Sequence, residues 1–222
     1  GTISLGPVPQ PSALDRGELL FHNAKLSHDG WFSCASCHVD GHTNGLLTDN
    51  MTDGSFGTAK RVLTLRGVAD TAPYAWSGRF PSLSEQISHS IRSTMQGEPI
   101  SGDQIADLEA YLKSLPPLPR MPTHDQLAVE RGTAIFEARN CRSCHALPSL
   151  TSPQIVDVGL KDERGADKFN PPSLRGVSQN APYFHDGRAA SLEAVFNEFR
   201  HQLDSDLSPE ELRDLIAFLQ AQ

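Results

Sequence analysis

The chain has 222 residues, 38% hydrophobic and 21% charged, the balance of a folded protein and not of a disordered one. A net charge of −8 and a pI near 5.5 exclude the basic surface that nucleic acid demands. No apolar run approaches the roughly 20 residues of a membrane span. The segment Gly1–Gly6 lacks both the basic start and the apolar stretch of a signal peptide, so the chain reads as a mature form or as a piece of a larger one. A helix is predicted near 14–24, leading into Cys34-Ala35-Ser36-Cys37-His38. A long loop and a helix follow. Ser101 then opens a helical stripe of Ile105, Leu108, Leu112 and Leu115. The run Pro116–Pro122 reads as a stiff linker. A helix near 125–139 precedes Cys141-Arg142-Ser143-Cys144-His145, and Ser208-Pro209-Glu210-Glu211 is a capping box before Leu212, Leu215, Ile216 and Leu219. Little strand signal exists anywhere.

All four cysteines lie in the two C-x-x-C-H pentapeptides, the attachment signal of a c-type haem. One helical turn separates the two sulfurs, which take the porphyrin vinyl groups, and the next residue supplies the proximal histidine. Two C-x-x-C pairs could instead converge on zinc, but a His after both pairs by chance is rare. A thioredoxin-like pair needs a βαβ context that is missing. Two covalent haem c groups are therefore expected, on Cys34, Cys37 and His38 and on Cys141, Cys144 and His145. Haem c is attached outside the bacterial cytoplasm, so a periplasmic or otherwise exported location is expected.

The two halves repeat. Leu65-Arg66-Gly67-Val68 returns as Leu174-Arg175-Gly176-Val177, Ala72-Pro73-Tyr74 as Ala181-Pro182-Tyr183, and Ser82-Leu83 as Ser191-Leu192, all at an offset of 109. Arg16-Gly17 and Phe21 match Arg131-Gly132 and Phe136. The fold class predicted is all-α, with two tandem cytochrome c domains over 12–115 and 124–222 and a Pro-rich linker over 116–123.

The sixth iron ligands decide function, because closed sites favour electron transfer and open ones favour reaction with small molecules. His201 lies 56 residues after His145, and Thr94-Met95 lies 56 and 57 after His38. The pairs expected are therefore His38/Met95 and His145/His201, with His89 a rival for the first and His42 a surface or propionate contact. Arg66 and Arg175, at equivalent points, are candidates to pair haem propionates. Trp76 and His185 occupy one position of the repeat, where an indole between haems can relay an electron.

Leu26-Ser27 with the first haem motif, Tyr74-Ala75-Trp76-Ser77-Gly78-Arg79, Ser82-Leu83-Ser84-Glu85-Gln86 and Ala181-Pro182-Tyr183-Phe184-His185-Asp186-Gly187 together resemble the bacterial dihaem cytochrome c peroxidase family, including the relative that matures methylamine dehydrogenase. The resemblance implies a peroxidatic haem in the first domain, an electron-transfer haem in the second, a Trp between them matched by Trp76, and a pocket Gln matched by Gln86. Those two are the catalytic candidates if the chain is a peroxidase. Three departures stand out. Thr94 occupies the place of the family's catalytic Glu before Met95. The loop after His38 lacks the family's switching His. The Asn that helps hold an inter-haem calcium is replaced around Val62, which puts calcium in doubt. The expectation is mainly electron transfer with a redox partner, such as a small cytochrome or cupredoxin, or with the remainder of a larger parent chain. The alternative is a hydrogen-peroxide-dependent peroxidase using the first haem.

Overall fold

The computed structural model describes residues 1–3, 6, 9–51, 54–122 and 125–222. Thr123 and His124, where the linker was expected to meet the second domain, lie outside the described residues. The first half runs α1 (Ala13–Phe21), α2 (Cys34–Cys37), β1 (Leu47–Thr48), β2 (Lys60–Arg61), α3 (Leu83–His89) and α4 (Gly102–Ser114). The second runs α5 (Gln126–Ala138), β3 (Val156–Asp157), β4 (Lys168–Phe169), α6 (Leu192–Asn197) and α7 (Pro209–Gln220), with Cys141–Ser143 as a single 3-10 turn. The molecule is helix-rich but not purely α. β1 pairs with β2 (Leu47↔Arg61) and β3 with β4 (Val156↔Phe169), both antiparallel. Two-residue ladders are too short to leave a period-two pattern in a sequence.

The helix starts follow from their caps. Ser12, Ser101 and Ser208 each close a capping box, with Asp15, Gln104 and Glu211. α1 ends earlier than its apolar pattern suggested, at Phe21, because Asn23 accepts from Lys25 N–H and starts a 3-10 turn.

In each half the first and last helices cross at a glycine. A Cβ on Gly17 would collide with the Asp107 carbonyl of α4, and one on Gly132 with the Asp214 carbonyl of α7. The preceding arginine then forks onto the same acid. Arg16 donates through Nε and Nη2 to Asp107 at 2.7 and 2.6 Å, and Arg131 to Asp214 at 2.6 and 2.8 Å. Phe21, Leu83, Ile91, Met95 and Leu108 centre the first core. Phe136, Leu192, Leu215, Phe218 and Leu219 centre the second.

The halves meet through reciprocal backbone bonds. Arg61 N–H donates to the His185 carbonyl at 2.6 Å, and Asn170 N–H to the Trp76 carbonyl at 2.7 Å. Positions 61 and 170, like 76 and 185, are equivalents of the repeat, so this contact is close to a two-fold one. The linker lies along it. Pro117 packs on Gly67 and Leu118 on Gly176, both glycines with positive φ (+73° and +66°).

Candidate haem sites

Ser33 caps α2, its N–H donating to Ser36 Oγ at 3.1 Å, and the single turn presents Cys34, Cys37 and His38 to one cavity of about 280 Å³. His38 Nδ1 donates to the His42 carbonyl at 3.2 Å, which leaves Nε2 free for a metal. Burial pushes the His38 pKa down and keeps the ring neutral, the form a ligand needs. Met95 is 3% exposed and also lines the cavity, its Sδ 4.0 Å from Cys34 Sγ. It is delivered by a π-helical turn, Ser90–Thr94, closed by the Met95 N–H bond to Ser90 O at 2.8 Å.

The second motif repeats this arrangement. His145 Nδ1 donates to the Leu150 carbonyl at 3.2 Å, again freeing Nε2. His201 is half-buried, and its Nδ1 is buried with no hydrogen-bond partner. Burial, with the neighbouring His145 adding to it, pushes its pKa down to about 4. Met95 and His201 each precede a glutamine at φ +52°, Gln96 and Gln202, so the backbone marks them as equivalents. Each is thus brought into the surroundings of its own proximal histidine.

These residues fit covalent haem. All four thiols are free of disulfides, and Cys34 packs against the first core while Cys141 packs against the second. Burial pushes Cys34 up to about 11 and raises Cys37 and Cys141 as well, the opposite of a nucleophilic C-x-x-C pair. Gln86 Nε2 donates to Ser90 Oγ at 3.0 Å, while its Oε1 is buried without a partner in the cavity wall. Thr94 donates its hydroxyl to the Asn50 carbonyl at 2.8 Å. Among the described residues no Asp or Glu lines this cavity.

Other sequence candidates fare differently. His89 packs at a tilt against Phe80 (4.8 Å) in a separate surface pocket with Arg79 and Arg92, outside the cavity, so it is no rival to Met95. His42 is neither a loose surface group nor a propionate contact: Nδ1 bonds the Thr64 hydroxyl at 2.8 Å, and Nε2 donates across the interface to Gln179 O at 3.2 Å. Arg66 lines the cavity with Nε unpartnered, as a propionate partner would. Arg175 is mostly committed elsewhere. Its Nη2 donates to Asp70 (2.5 Å) and to Gly67 O (2.6 Å), its Nη1 donates to Asp70 (3.2 Å), and only Nε remains without a partner.

Trp76 is buried, donates Nε1–H to Arg61 O at 2.8 Å, and meets its own repeat equivalent, His185, edge-on at 6.5 Å. His185 is 1% exposed, held neutral by burial and stacked on Phe169 at 4.2 Å. Beside them Lys60 donates at 3.0 Å to Asp162 of the other half, a buried ion pair. Sequence reasoning missed Lys60, Arg61, Asp162 and Phe169. Lys60-Arg61 looks like a solvated pair, and only the repeat, which sets Arg61 against Asn170, hinted at more.

The di-haem cytochrome c peroxidase family model matches residues 11–121, half of the chain, and a cytochrome c model matches 129–222. The chain belongs to the di-haem cytochrome c peroxidase family. The family's cofactor is covalent haem c, and this member carries one attachment motif in each half. It is 28% identical to the methylamine utilization protein MauG of Methylorubrum extorquens, over 95% of this chain and 78% of that protein. It is 25% identical to the cytochrome c peroxidase Ccp of Escherichia coli, over 96% of this chain and 59% of that one. A solved chain of Kuenenia stuttgartiensis hydrazine synthase shares the fold, with a TM-score of 0.83 at 22% identity, covering 100% of this chain and 98% of the other.

Proposed function

We propose that this family member works mainly as an electron carrier, with its first iron closed by Met95 and its second by His201. The observation that carries this reading is Met95 buried in the cavity wall against Cys34, preceded in the chain by Thr94, whose hydroxyl is already bonded to the Asn50 carbonyl. Bound haem supplies a one-electron iron couple, whose potential a thioether ligand raises and a second histidine lowers. His38 and His145 orient through their carbonyl bonds. Trp76, His185 and Phe169 fill the contact between the halves with aromatic rings and exclude water from it. Peroxide cleavage needs a positioned acid-base group, and neither Thr94 nor any described group of the cavity wall is a carboxylate. Haem c attachment, which takes place outside the bacterial cytoplasm, supports a periplasmic or otherwise exported setting. Its partner is a small cytochrome, a cupredoxin or the remainder of a larger parent chain. No helix among the described residues is long and apolar enough to cross a membrane.

The second reading is a peroxide-dependent oxidoreductase. It is favoured by the family itself and by Gln86, which lines the same cavity as Trp76 and whose Oε1 is buried without a partner. Stopped-flow mixing of the half-reduced protein with peroxide and a reduced cytochrome decides between them. A missing acid-base group costs about 10²–10⁴ in rate, about 3–5 kcal/mol of barrier. Donor oxidation should therefore run at least about a hundredfold slower than in a peroxidase carrying the Glu. Fast donor oxidation would establish the peroxidase reading instead.

A further inference from the structure

Arg61 is the least explained cation in the molecule. It is 5% exposed, and both Nε and Nη1 are buried without a hydrogen-bond partner. Its backbone is pinned on both sides, by N–H to His185 O and by its carbonyl to Trp76 Nε1, so the side chain starts from a fixed point. It lines the same cavity as Cys34, Cys37 and His38. Lys60 and Arg175, which line the same cavity, already have carboxylates, Asp162 and Asp70. Arg61 has none, and no described Asp or Glu lines the cavity it faces.

A buried guanidinium left bare is strongly unfavourable. The fork geometry of arginine matches a carboxylate. The polypeptide supplies no such group here, whereas a haem brings two propionates into the cavity. We propose that Arg61 pairs with a propionate of the first haem and holds a permanent positive charge beside that cofactor. The device is one-sided. The equivalent residue of the second half is Asn170, an uncharged amide that donates to Pro73 O. A fixed positive charge favours the iron's less positive, reduced state. Arg61 therefore raises the first haem's potential, and with Met95 on the first iron and His201 on the second this widens the gap between the two haems. The assignment rests on haem occupancy and holds whether the chain carries electrons or turns over peroxide.

The test uses the full-length, haem-loaded protein and its Arg61→Asn and Arg61→Lys variants. Asn is the residue the second half uses at this position. Intact mass should show the same haem count in all three. In potentiometric titration Arg61→Asn should weaken electron binding at the first haem about tenfold, or about 59 mV for a one-electron couple, and shift the second haem less. Arg61→Lys should restore most of that loss. Redox-difference infrared spectra with isotope-labelled propionates give a second readout, free of the neutral variant's folding. The carboxylate stretch should move between wild type and Arg61→Lys, because an ammonium cannot reproduce the fork. An unchanged first potential in Arg61→Asn, a larger shift at the second haem, or an unmoved carboxylate band would each overturn the assignment. So would a wild-type potential that follows chloride concentration, which would make the partner a mobile anion.

Discussion

The two halves were built on one plan and furnished differently. Both cross their terminal helices at a glycine, fork an arginine onto the acid of the last helix, and free Nε2 of the proximal histidine by a carbonyl bond. They differ at Met95 against His201, Gln86 against Val195, Trp76 against His185 and Arg61 against Asn170. The shared features hold the fold and the attachment site. In the first half the differing ones, Met95, Gln86, Trp76 and Arg61, all line the cavity. Duplication thus fixes the scaffold, and substitution at a handful of positions sets what each iron would do.

Removing an attachment sulfur tests the shared plan most severely. Cys37→Ala and Cys144→Ala should each cost the protein one haem, read by intact mass, while wild type carries two. A wild type loaded with one haem in a host competent for haem c maturation would break the equivalence at its root.

Axial ligation tests the difference. Met95→Ala should abolish the near-infrared sulfur-to-iron band and lower the first haem's potential, whereas His201→Ala should leave that band in place and raise the second potential. If Met95→Ala changes neither spectrum nor potential, the first iron is not closed by this thioether, and the electron-carrier reading loses its main support.

The helix crossings should respond alike. A methyl group at Gly17 or Gly132 meets a backbone carbonyl that cannot step aside. Gly17→Ala and Gly132→Ala should each destabilise by about 1–3 kcal/mol, measured by denaturant unfolding of the haem-loaded protein. A much smaller cost in one half would show that its helices can separate.

The forked carboxylates give the mildest comparison. Hydrogen bonds from Arg16 and Arg131 hold Asp107 and Asp214 below the usual carboxylate pKa. A depressed native pKa gives stability that is present above the unfolded value, near 4, and is lost as pH falls through the lower native one. Thermal melts of Asp107→Asn and Asp214→Asn should lie below wild type at pH 7, and the gap should narrow toward pH 3. A gap that stays constant over that range would remove the ion pairs from the acid sensitivity of the fold.

The sequence by itself determined the cofactor, the duplication and the capped helices. C-x-x-C-H is a covalent-chemistry signal, the offset of 109 is arithmetic, and the Ser caps act within one turn of chain. It also brought Met95 and His201 to equivalent places, because each follows its haem motif at nearly the same distance. The tertiary structure alone decided which polar groups are buried between the halves. Lys60, Arg61 and Asp162 read as surface charge until the fold sets Lys60 against Asp162, 102 residues away in the chain, and closes the seam over Arg61. It bonded the Arg175 Nη atoms to Asp70, leaving only Nε without a partner in the cavity wall, and drew His42 into a bond with Gln179. It also laid Trp76 against its own repeat equivalent. Such pairings depend on how two domains dock, and docking is fixed by reciprocal backbone bonds that carry no residue signature.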